Sequence, residues 1–401
     1  MEDRNVNDSN EKWISLEEAA DHLGIKPVTI RDWIRKGQGI PAHKIGRQWK
    51  FKISDLDKWV SSGQSAIDSK EKNKVGKLKC ASFFAGVGGI DLGFQNAGVF
   101  ETVYANEFDP YPAATFELNY PIKVDKRDVH LVQSHDIPDF DVMLAGFPCQ
   151  AFSIAGLRKG FGDEKGRGEL FFELVRILQD KQPRIAFFEN VKNLVSHDNG
   201  NTFKVICEQL EELGYKYTYR VLNPMEHGNI PQNRERIYIV AFKDQQDYDR
   251  FIWPAKTPLT KSVVDVIDFE HDVEEKYYYT EGKYKDSIFH SISEAMADDD
   301  PNHPAIYQWR RQYVRKNQSG VVPTLTANQG EGGHNVCLVK TKYGIRKMTP
   351  RECFNTQGFP KSFKLPNNQS DARLYKQAGN SVCVSVIARI AESIAQATKM
   401  K

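Results

Sequence analysis

The residues best suited to chemistry in this sequence surround one of its cysteines. Cys149 stands in the run Gly146-Phe147-Pro148-Cys149-Gln150, directly after a short apolar segment with strand character. Because ligands bind where the carboxyl ends of parallel strands meet, a thiol there faces a crevice and can act as a nucleophile. A lone cysteine is more often buried and inert. The preceding proline and the Gly-rich, basic stretch 151–169 instead favour an exposed thiol beside a loop that closes on a polyanion.

Side chains that could assist such a thiol follow further along the chain. Glu189 ends the apolar run 185–188, and a carboxylate at a strand end beside Cys149 can act as a general acid. Arg234 and Arg236 lead into the apolar run 237–242, and strand periodicity predicts that two residues two apart point the same way. Taken singly, Glu-Asn is an ordinary loop start and Arg-x-Arg a solvated ion-pair patch, so these signals matter only in combination.

A glycine-rich turn offers a place for a cofactor. Phe83-Phe84-Ala85-Gly86-Val87-Gly88-Gly89 follows the first predicted strand of this region. Glu107 ends the next strand about twenty residues later, where an acid can bind ribose hydroxyls. Asp128, near the end of a third predicted strand, could accept a hydrogen bond from an adenine amino group. Asp91 occupies the third glycine position of the dinucleotide fingerprint, which argues against NAD.

The elements that must position these residues alternate between short apolar runs and amphipathic stretches. This alternation predicts an α/β fold with a doubly wound, mostly parallel sheet. The predicted strands are Lys79–Phe84, Val103–Asn106, Val142–Ala145, Ile185–Glu189 and Ile237–Phe242, and the clearest helices are Leu170–Gln179 and Phe203–Leu213. Beyond Pro254 the alternation fails. Residues 265–300 hold twelve acidic and three basic residues, whereas 301–347 hold eight basic residues and one acid. This switch predicts a second, smaller domain with a positive face, and residues 382–397 predict a final amphipathic helix.

The N-terminal region predicts a separate small module. Ser15 and Glu18 have the spacing of a capping box, and Pro27 suits the first turn of a second helix. Residues 43–53 then read as a basic hairpin turning at Gly46-Arg47. This pattern resembles the excisionase/MerR-like winged helix-turn-helix modules, and the resemblance implies DNA contacts from Arg31, Arg35 and Arg47. A packing or protein-interaction domain is the alternative.

The composition limits the classes of protein to which this chain could belong. The 401 residues carry a formal net charge of +2 and 6 cysteines without CxxC spacing, which indicates reduced thiols and no zinc site. No apolar run approaches the roughly 18 residues of a membrane span, and the polar N-terminus does not fit a signal peptide. We therefore expect a cytoplasmic protein that does not bind membranes. The expected organisation is a helix-turn-helix at 11–61, a linker at 62–77, a catalytic domain at 78–255, a second domain at 256–345 and a C-terminal segment, 346–401, that returns to the catalytic domain.

The motifs become specific when taken together. The glycine-rich turn, Pro-Cys-Gln, Glu-Asn-Val and Gln-x-Arg-x-Arg occur in this order, followed by Gln377-Ala378-Gly379-Asn380-Ser381-Val382. From about Leu78 to the C-terminus the chain resembles the DNA (cytosine-5) methyltransferases of restriction–modification systems. The resemblance implies transfer of a methyl group from S-adenosylmethionine to C5 of a cytosine flipped out of duplex DNA, through a covalent adduct between Cys149 and C6.

The resemblance also implies roles for individual residues. Glu189 would donate to N3, Arg236 would bind O2, and Arg234 would support the site. The implied cofactor contacts are Phe84, Gly86, Gly88, Gly89, Glu107 (ribose), Asp128 (adenine), Phe147, Asn380, Ser381 and Val382. The implied DNA contacts in this region are Gln150, Ser153 and Arg167, together with Thr324 and Leu325 of the Thr-Leu element in the target-recognition domain at 256–345. No metal is implied.

Two other functions stay open from the sequence. An RNA cytosine-5 methyltransferase would carry the same Pro-Cys and Glu-Asn-Val motifs, but it would lack the long segment between Pro254 and Arg346 and the N-terminal module. A non-enzymatic DNA-binding regulator would not need Cys149, Glu189 and Arg236. We expect a monomer on DNA, associated with the bacterial nucleoid and paired with a restriction endonuclease or acting as an orphan methylase. The N-terminal module could add affinity, bias site choice or repress its own operon.

Overall fold

The computed structural model describes residues 11–23, 25, 27–35, 40–46, 48–57, 76–147, 170–282, 286–299, 304–310, 313–329 and 334–399. They belong to two compact units, Met1–Lys77 and Leu78–Lys401. No helix within these described ranges is long and apolar enough to cross a membrane.

The N-terminal unit is built on the predicted helix pair. Its helices are α1 (Leu16–His22) and α2 (Pro27–Arg35), followed by an antiparallel hairpin of β1 (His43–Ile45) and β2 (Gln48–Lys50) and a helical segment at 53–57. The capping box forms as predicted, since Ser15 N donates to Glu18 Oε2 (2.6 Å) and Glu18 N donates to Ser15 Oγ (3.1 Å). Ala19, Ile30 and Phe51 are fully buried and form the small core. That the hairpin acts as a wing stays a prediction.

The larger unit is centred on a six-stranded sheet with the order β4-β3-β5-β6-β9-β7. Its strands are β3 (Leu78–Phe83), β4 (Phe100–Asn106), β5 (Val142–Ala145), β6 (Ile185–Val191), β7 (Lys216–Leu222) and β9 (Arg236–Phe242). β4, β3, β5 and β6 run parallel, whereas β9 is antiparallel to both β6 and β7. The mostly parallel sheet is therefore confirmed. Sequence reasoning missed β7, because this edge strand is largely exposed and lacks the continuous apolar run of a buried strand.

Helices cover both faces of this sheet and bury two apolar cores. They are α3 (Gly89–Asn96), α4 (Pro110–Asn119), α5 (Leu170–Lys181), α6 (Asn201–Glu212), α7 (Pro224–His227) and α8 (Gln245–Arg250). The C-terminal helix α12 (Val384–Lys399) packs on α3 so closely that a Cβ on Gly93 would lie 2.4 Å from Ile387 Cγ2. Gly93 therefore allows the end of the chain to lie against the helix that follows the glycine-rich turn.

The predicted third strand before Asp128 was wrong. The chain makes a single parallel bridge there, between Asn106 and Asp125, and then turns into a 3-10 helix at Val129–Leu131. Arg127 stabilises this turn through ion pairs with the carboxylates of Asp125 (2.7 Å) and Asp136 (2.8 Å). These ion pairs hold a compact turn where the apolar pattern alone suggested an extended segment.

The region after Pro254 forms its own sheet but lies within the same compact unit. It contains α9 (Asp286–Ala295) and a four-stranded sheet ordered β11-β10-β13-β14. The strands are β10 (Tyr307–Arg310), β11 (Val314–Lys316), β13 (His334–Thr341) and β14 (Gly344–Lys347), followed by α10 (Pro350–Thr356) and α11 (Asp371–Asn380). A further short strand, β12 (Val322–Pro323), lies outside this sheet. It pairs in parallel with β8 (Gln232–Asn233) of the central region. The pairing ties the Thr-Leu element to the segment that carries the two arginines.

A carboxylate is buried beneath the glycine-rich turn. Asp91 lies in the first turn of α3 and accepts hydrogen bonds from Ser82 Oγ on β3 (2.9 Å) and Thr102 Oγ1 on β4 (2.8 Å). Burial raises the pKa of Asp91 to about 6, although the two hydroxyl bonds act in the opposite direction. At neutral pH the folded protein therefore bears the cost of an ionised, desolvated carboxylate.

Asp91→Asn is expected to stabilise the protein at alkaline pH, with a benefit that shrinks on acidification. For an acid whose pKa rises from 3.8 to about 6 on folding, ionisation costs on the order of 3 kcal/mol above the folded pKa and nothing below the unfolded one. At about pH 5 roughly half of that cost remains. Asparagine is neutral throughout and can still bond both hydroxyls. Denaturant unfolding at about pH 8 and pH 5 measures the difference.

The surface variant Asp139→Asn is the matched control, since the Asp139 side chain is fully exposed. It should change the free energy of unfolding little, and equally at both pH values. An Asp91→Asn effect that does not depend on pH would show that Asp91 is not the titrating group.

Candidate active site

A cavity of about 760 Å³ opens at the carboxyl ends of β3, β4, β5 and β6. Eleven of the residues singled out by the sequence lie in its wall. They are Phe84, Gly86, Gly89, Glu107, Phe147, Glu189, Arg234, Arg236, Asn380, Ser381 and Val382. Segments as far apart in the chain as Phe84 and Val382 therefore line one cavity.

The glycine-rich turn is held in an unusual backbone conformation. Phe84, Gly86 and Gly88 all have positive φ (52°, 57° and 84°), and for Phe84 this is a strained state that the surrounding structure must enforce. Tyr120 Oη donates to the Gly88 carbonyl (2.6 Å), and a Cβ on Gly88 would lie 2.5 Å from the Tyr120 ring. Gly88 thus lies over Tyr120 and is not among the cavity-lining residues, whereas Gly86 and Gly89 are.

Glu107 is oriented by the turn itself. Its carboxylate accepts from the backbone N–H groups of Gly86 (2.9 Å) and Asp109 (2.8 Å). Burial raises the pKa of Glu107, while the two backbone bonds lower it. The carboxylate is therefore fixed in the cavity wall with acceptor capacity left for hydroxyl groups.

Glu189 and Arg236 form an ion pair in the cavity wall. Glu189 lies near the end of β6 and Arg236 begins the neighbouring β9, with Arg236 Nε 3.1 Å from Glu189 Oε1. Burial raises the pKa of Glu189, whereas the positive charges of Arg236 and Arg234 lower it; the net shift is upward. A carboxyl with a raised pKa is protonated more often at neutral pH and can donate a proton.

Asn190 links this pair to the Pro-Cys segment. Its Nδ2 donates to the Phe147 carbonyl (2.9 Å), so the residue just before Pro148 is held against the end of β6. Cys149 and Gln150 themselves lie outside the described residues, as do Ser153, Arg167 and Arg47. The end of the described segment, Phe147, lines the cavity together with Glu189.

Arg234 differs from what strand periodicity predicted. It precedes β9, is only 2% exposed, and its guanidinium donates to three backbone carbonyls, those of Leu325 (2.9 Å), Gly379 (3.0 Å) and Ser381 (2.6 Å). Arg236 points to a carboxylate, whereas Arg234 binds main chain. The two arginines share the cavity wall but have different partners.

The family to which these features belong is identified by comparison with known proteins. Residues 78–396 match the model of the family described as C-5 cytosine-specific DNA methylase, and residues 13–64 match a helix-turn-helix domain. The chain belongs to the C-5 cytosine-specific DNA methylases. It is thus a DNA (cytosine-5) methyltransferase of the type II restriction–modification kind, which uses S-adenosylmethionine as methyl donor.

Curated relatives support this assignment over most of the chain. The methylase is 56% identical to the type II methyltransferase M.Bsp6I of Bacillus sp. over 79% of this chain and 98% of that protein. It is 37% identical to M.HhaI of Haemophilus parahaemolyticus over 84% of this chain and 99% of that protein. It is also 35% identical to M.SsoII of Shigella sonnei over 95% of this chain and 94% of that protein.

Solved structures agree at the level of the fold. The S. pombe Dnmt2 methyltransferase superposes with a TM-score of 0.61 at 18% identity, covering 80% of this chain and 100% of that one. A Spodoptera frugiperda DNMT2 mutant gives a TM-score of 0.60 at 21% identity, covering 79% of this chain and 99% of that one. The mixed α/β architecture of the methylase is therefore shared with these enzymes.

The cavity of the methylase fits S-adenosylmethionine. Ser381 Oγ is buried in the wall with no hydrogen-bond partner among the residues that the structure describes, and a Cβ on Gly89 would lie 2.7 Å from it. An unpaired hydroxyl and a cradle that a side chain would fill are both suited to a polar ligand. Glu107 supplies a buried carboxylate for ribose hydroxyls beside this cradle.

Two predicted cofactor contacts, Gly88 and Asp128, are not among the cavity-lining residues, and sequence reasoning did not single out Phe108 or Arg373 beside the cavity. The Asp128 carboxylate caps its own 3-10 helix and bonds His130 Nδ1 (2.6 Å), and it is not among the lining residues. Phe108 stands between two lining residues and is 68% exposed. Arg373, whose guanidinium stacks 3.2 Å from the centre of the Tyr111 ring, also lines the cavity. An aromatic residue directly after an acid at a strand end was the signal for Phe108.

Of the residues predicted to contact DNA, the structure describes the side chains of Thr324, Leu325 and Arg31. Thr324 Oγ1 donates to the Asn233 carbonyl (2.7 Å), and Leu325 is buried with its carbonyl bound by Arg234. In the N-terminal unit Arg31 is exposed, with Nη2 3.3 Å from Glu17 Oε1. The side chain of Arg35 lies outside what the structure describes.

Proposed function

We propose that residues 78–401 methylate C5 of a cytosine flipped out of duplex DNA, with Cys149 as nucleophile, Glu189 as general acid and Arg236 as the ligand of O2. The observation that carries this proposal is the buried Glu189–Arg236 pair, which shares one cavity wall with the glycine-rich turn. The cytosine ring needs a proton donor at N3 and a cation at O2 together, and this pair supplies both within 3.1 Å of each other.

The reaction uses these residues in sequence. C5 of cytosine is a poor nucleophile, and addition of the Cys149 thiolate to C6 converts the ring into an enamine that is nucleophilic at C5. Glu189 gives its proton to N3 as charge develops on the ring, and Arg236 stabilises O2. When bound, S-adenosylmethionine supplies an electrophilic methyl group on its sulfonium. The C5 proton then leaves to solvent, Glu189 takes back the N3 proton, and the thiolate is expelled as the ring regains aromaticity.

The cofactor would be held from several sides. Phe84, Gly86, Gly89 and Phe147 would form the floor of its pocket, with Glu107 on the ribose, while Gly88 would support the turn from beneath through its contact with Tyr120. Asn380, Ser381 and Val382 would complete the pocket from the returning C-terminal segment. Asp128 stays the proposed adenine contact, and its present bond to His130 (2.6 Å) would then have to coexist with, or give way to, the adenine amino group.

DNA would be held by residues on both sides of the base. Gln150, Ser153 and Arg167 would follow the strand from the Pro-Cys side, while Thr324 and Leu325 would support the flipped nucleotide from the target-recognition domain. The N-terminal unit would add phosphate contacts through Arg31, Arg35 and Arg47. We further propose a cytoplasmic, nucleoid-associated monomer that acts with a cognate endonuclease.

Transfer of labelled methyl groups from S-adenosylmethionine to diverse duplex DNA, followed by base analysis, tests the proposal. We expect label in 5-methylcytosine, at a defined sequence that base-resolution sequencing identifies. Label in another base, or in transfer RNA but not in DNA, would overturn it. DNA binding without methyl transfer would instead support the inactive-regulator alternative.

Removal of residues 1–77 is expected to leave the chemical step and the methylated sequence unchanged. The match to M.Bsp6I accounts for 98% of that protein but only 79% of this chain, so a methyltransferase of this family need not carry the N-terminal unit. Because a tethered DNA-binding unit raises the effective concentration of DNA, KM for DNA should rise by roughly tenfold or more at low salt. Steady-state methylation at several salt concentrations measures both constants.

Arg31→Ala in the full chain is the matched point variant for this deletion. It should raise KM for DNA in the same direction and leave kcat unchanged. A changed methylation sequence in the deletion variant would show instead that the N-terminal unit takes part in site choice, and an unchanged KM would remove it from DNA binding.

A further inference from the structure

Arg234 joins three segments that are far apart in the chain. Its side chain, together with the carbonyls of Leu325, Gly379 and Ser381, is called here the carbonyl clamp. Leu325 belongs to the Thr-Leu element, whereas Gly379 and Ser381 belong to the segment that lines the cofactor end of the cavity. One guanidinium therefore holds the two proposed binding regions together.

A close backbone contact reinforces the carbonyl clamp. A Cβ on Gly379 would lie 2.3–2.5 Å from Thr326 C, Thr326 O and Ala327 N, so only glycine allows these two segments to approach so closely. Movement of the loop after Leu325 must therefore displace Gly379, or break the bonds that Arg234 makes to both. The Thr-Leu element and the cofactor segment are therefore in direct backbone contact as well as bridged by Arg234.

A second connection ties the same element to the strand that carries Arg236. β12 pairs with β8 in parallel, with Val322 opposite Gln232, and Thr324 Oγ1 donates to the Asn233 carbonyl (2.7 Å). Arg234 follows β8 directly and Arg236 lies two residues further on. The Thr-Leu element is thus bonded to the segment that carries both arginines, and Arg236 in turn pairs with Glu189.

The buried cation of the carbonyl clamp costs folding free energy, which indicates that Arg234 has a role other than stabilising the fold. Arg234 is 2% exposed, and within the described part of the chain its guanidinium donates to three neutral carbonyls while its Nε has no partner. Burial of a cation on neutral dipoles costs free energy that a well-packed apolar side chain would avoid. A planar group with several donors in a fixed fork, however, sets the spacing of three chain segments as an apolar side chain cannot.

We propose that Arg234 is a positioning residue that couples cofactor binding to target-DNA binding. Ligand contacts at Ser381 and Asn380 order the cofactor segment, the carbonyl clamp transmits that order to Leu325 and Thr324, and the element that supports the flipped base is then preorganised. By linkage, target DNA must raise cofactor affinity by the same factor. This inference rests on the proposed function of residues 78–401.

The coupling factor can be measured with S-adenosylhomocysteine, the demethylated product, which permits binding without turnover. Its affinity is determined by calorimetry with and without a duplex that contains the sequence methylated by the wild-type enzyme, and the duplex affinity is determined with and without S-adenosylhomocysteine. For the wild-type protein we expect both ratios to be equal and in the range of about 5–150-fold. For Arg234→Lys, which cannot reach all three carbonyls, the ratio should fall to within about twofold of unity.

Two further variants make the test decisive. Thr324→Val removes the bond to Asn233, and it should lower the coupling factor while leaving the affinity for S-adenosylhomocysteine alone unchanged. Arg389→Lys is the matched control, because Arg389 also donates to a backbone carbonyl, that of His227 (2.8 Å), but outside the cavity wall. It should retain the wild-type coupling factor.

Each outcome bears on a separate claim. An unchanged coupling factor in Arg234→Lys overturns the inference, and so does an equal loss in Arg389→Lys. If Arg234→Lys does not fold, an unchanged factor in Thr324→Val overturns it and a reduced factor supports it. A wild-type enzyme that methylates cytosine but shows no coupling refutes this inference alone, whereas a wild-type enzyme that forms no 5-methylcytosine refutes the proposed function.

Discussion

Cys149→Ser is expected to lower kcat for methyl transfer by at least about 10⁴-fold, while leaving the binding of cofactor and target DNA nearly unchanged. A thiolate is populated to a useful extent near neutral pH and is intrinsically nucleophilic, whereas a serine hydroxyl needs an adjacent base to attack. The hydroxyl is also a worse leaving group than the thiol when the ring must regain aromaticity. Single-turnover transfer of labelled methyl groups, with binding measured separately, distinguishes loss of chemistry from loss of affinity.

The nucleophile can also be trapped. After methyl transfer from S-adenosylmethionine, a 5-fluorocytosine at the target position of a duplex has no C5 proton to lose. The adduct should therefore persist and survive denaturing electrophoresis with the wild-type protein and with Cys207→Ser, but it should not form with Cys149→Ser. Cys207→Ser is the matched control, since Cys207 lies half-buried on α6 and is not among the cavity-lining residues. Adduct formation by Cys149→Ser would remove Cys149 from its proposed role.

Glu189→Gln is expected to lower kcat by about 10²–10⁴-fold, the range for loss of a general acid. The amide keeps the shape of the side chain and its contact with Arg236, but its N–H groups are not acidic enough to transfer a proton to N3. Because burial raises the pKa of Glu189 against the opposing charges of Arg236 and Arg234, the protonated form persists to higher pH than for an exposed glutamate. In the wild-type enzyme this contribution to kcat should be full at low pH and decline as pH rises through the raised pKa.

The pH profile of the variant separates this role from a structural one. In Glu189→Gln the decline assigned to Glu189 should disappear, leaving only the limb that reports formation of the Cys149 thiolate. Glu235→Gln is the matched control, because Glu235 lies between the two arginines in the chain but is exposed and pairs with Lys192 (2.8 Å). A variant profile with the same decline as wild type would show that another group donates the proton.

Much of the catalytic architecture was predictable because local patterns encode it. The strand Val142–Ala145 was placed at its exact bounds, since a four-residue apolar run between turn-forming residues can be little else in an α/β pattern. The capping box at Ser15 and Glu18 was equally local. The glycine-rich turn, Glu107 and Glu189 were recognised by type and by position at strand ends, and the topology of a parallel sheet brings those ends to one edge. Arg236 begins β9, and because β9 runs antiparallel to β6 its start lies at the same edge.

Patterns of local sequence failed where a residue's role depends on distant partners or on exposure. The edge strand β7 is half polar, so it lacks the continuous apolar run that marks a buried strand. The segment predicted as a third strand is held as a turn by ion pairs of Arg127, which its local sequence pattern does not reveal. Asp128 faces its own 3-10 helix and His130 because of that turn. Phe108 follows an acid at a strand end, but its exposure beside the cavity is known only from the structure.

The sequence by itself determined the reaction class of this protein, because the residues proposed as nucleophile, general acid, O2 ligand and cofactor turn each belong to a short motif of adjacent residues. Only the tertiary structure decided that two arginines two positions apart bind different partners. Arg236 pairs with Glu189 on the neighbouring strand, while Arg234 binds carbonyls 91, 145 and 147 positions away. Partners at such distances are set by how the sheet, the target-recognition region and the returning C-terminal segment pack, and no local pattern contains that information.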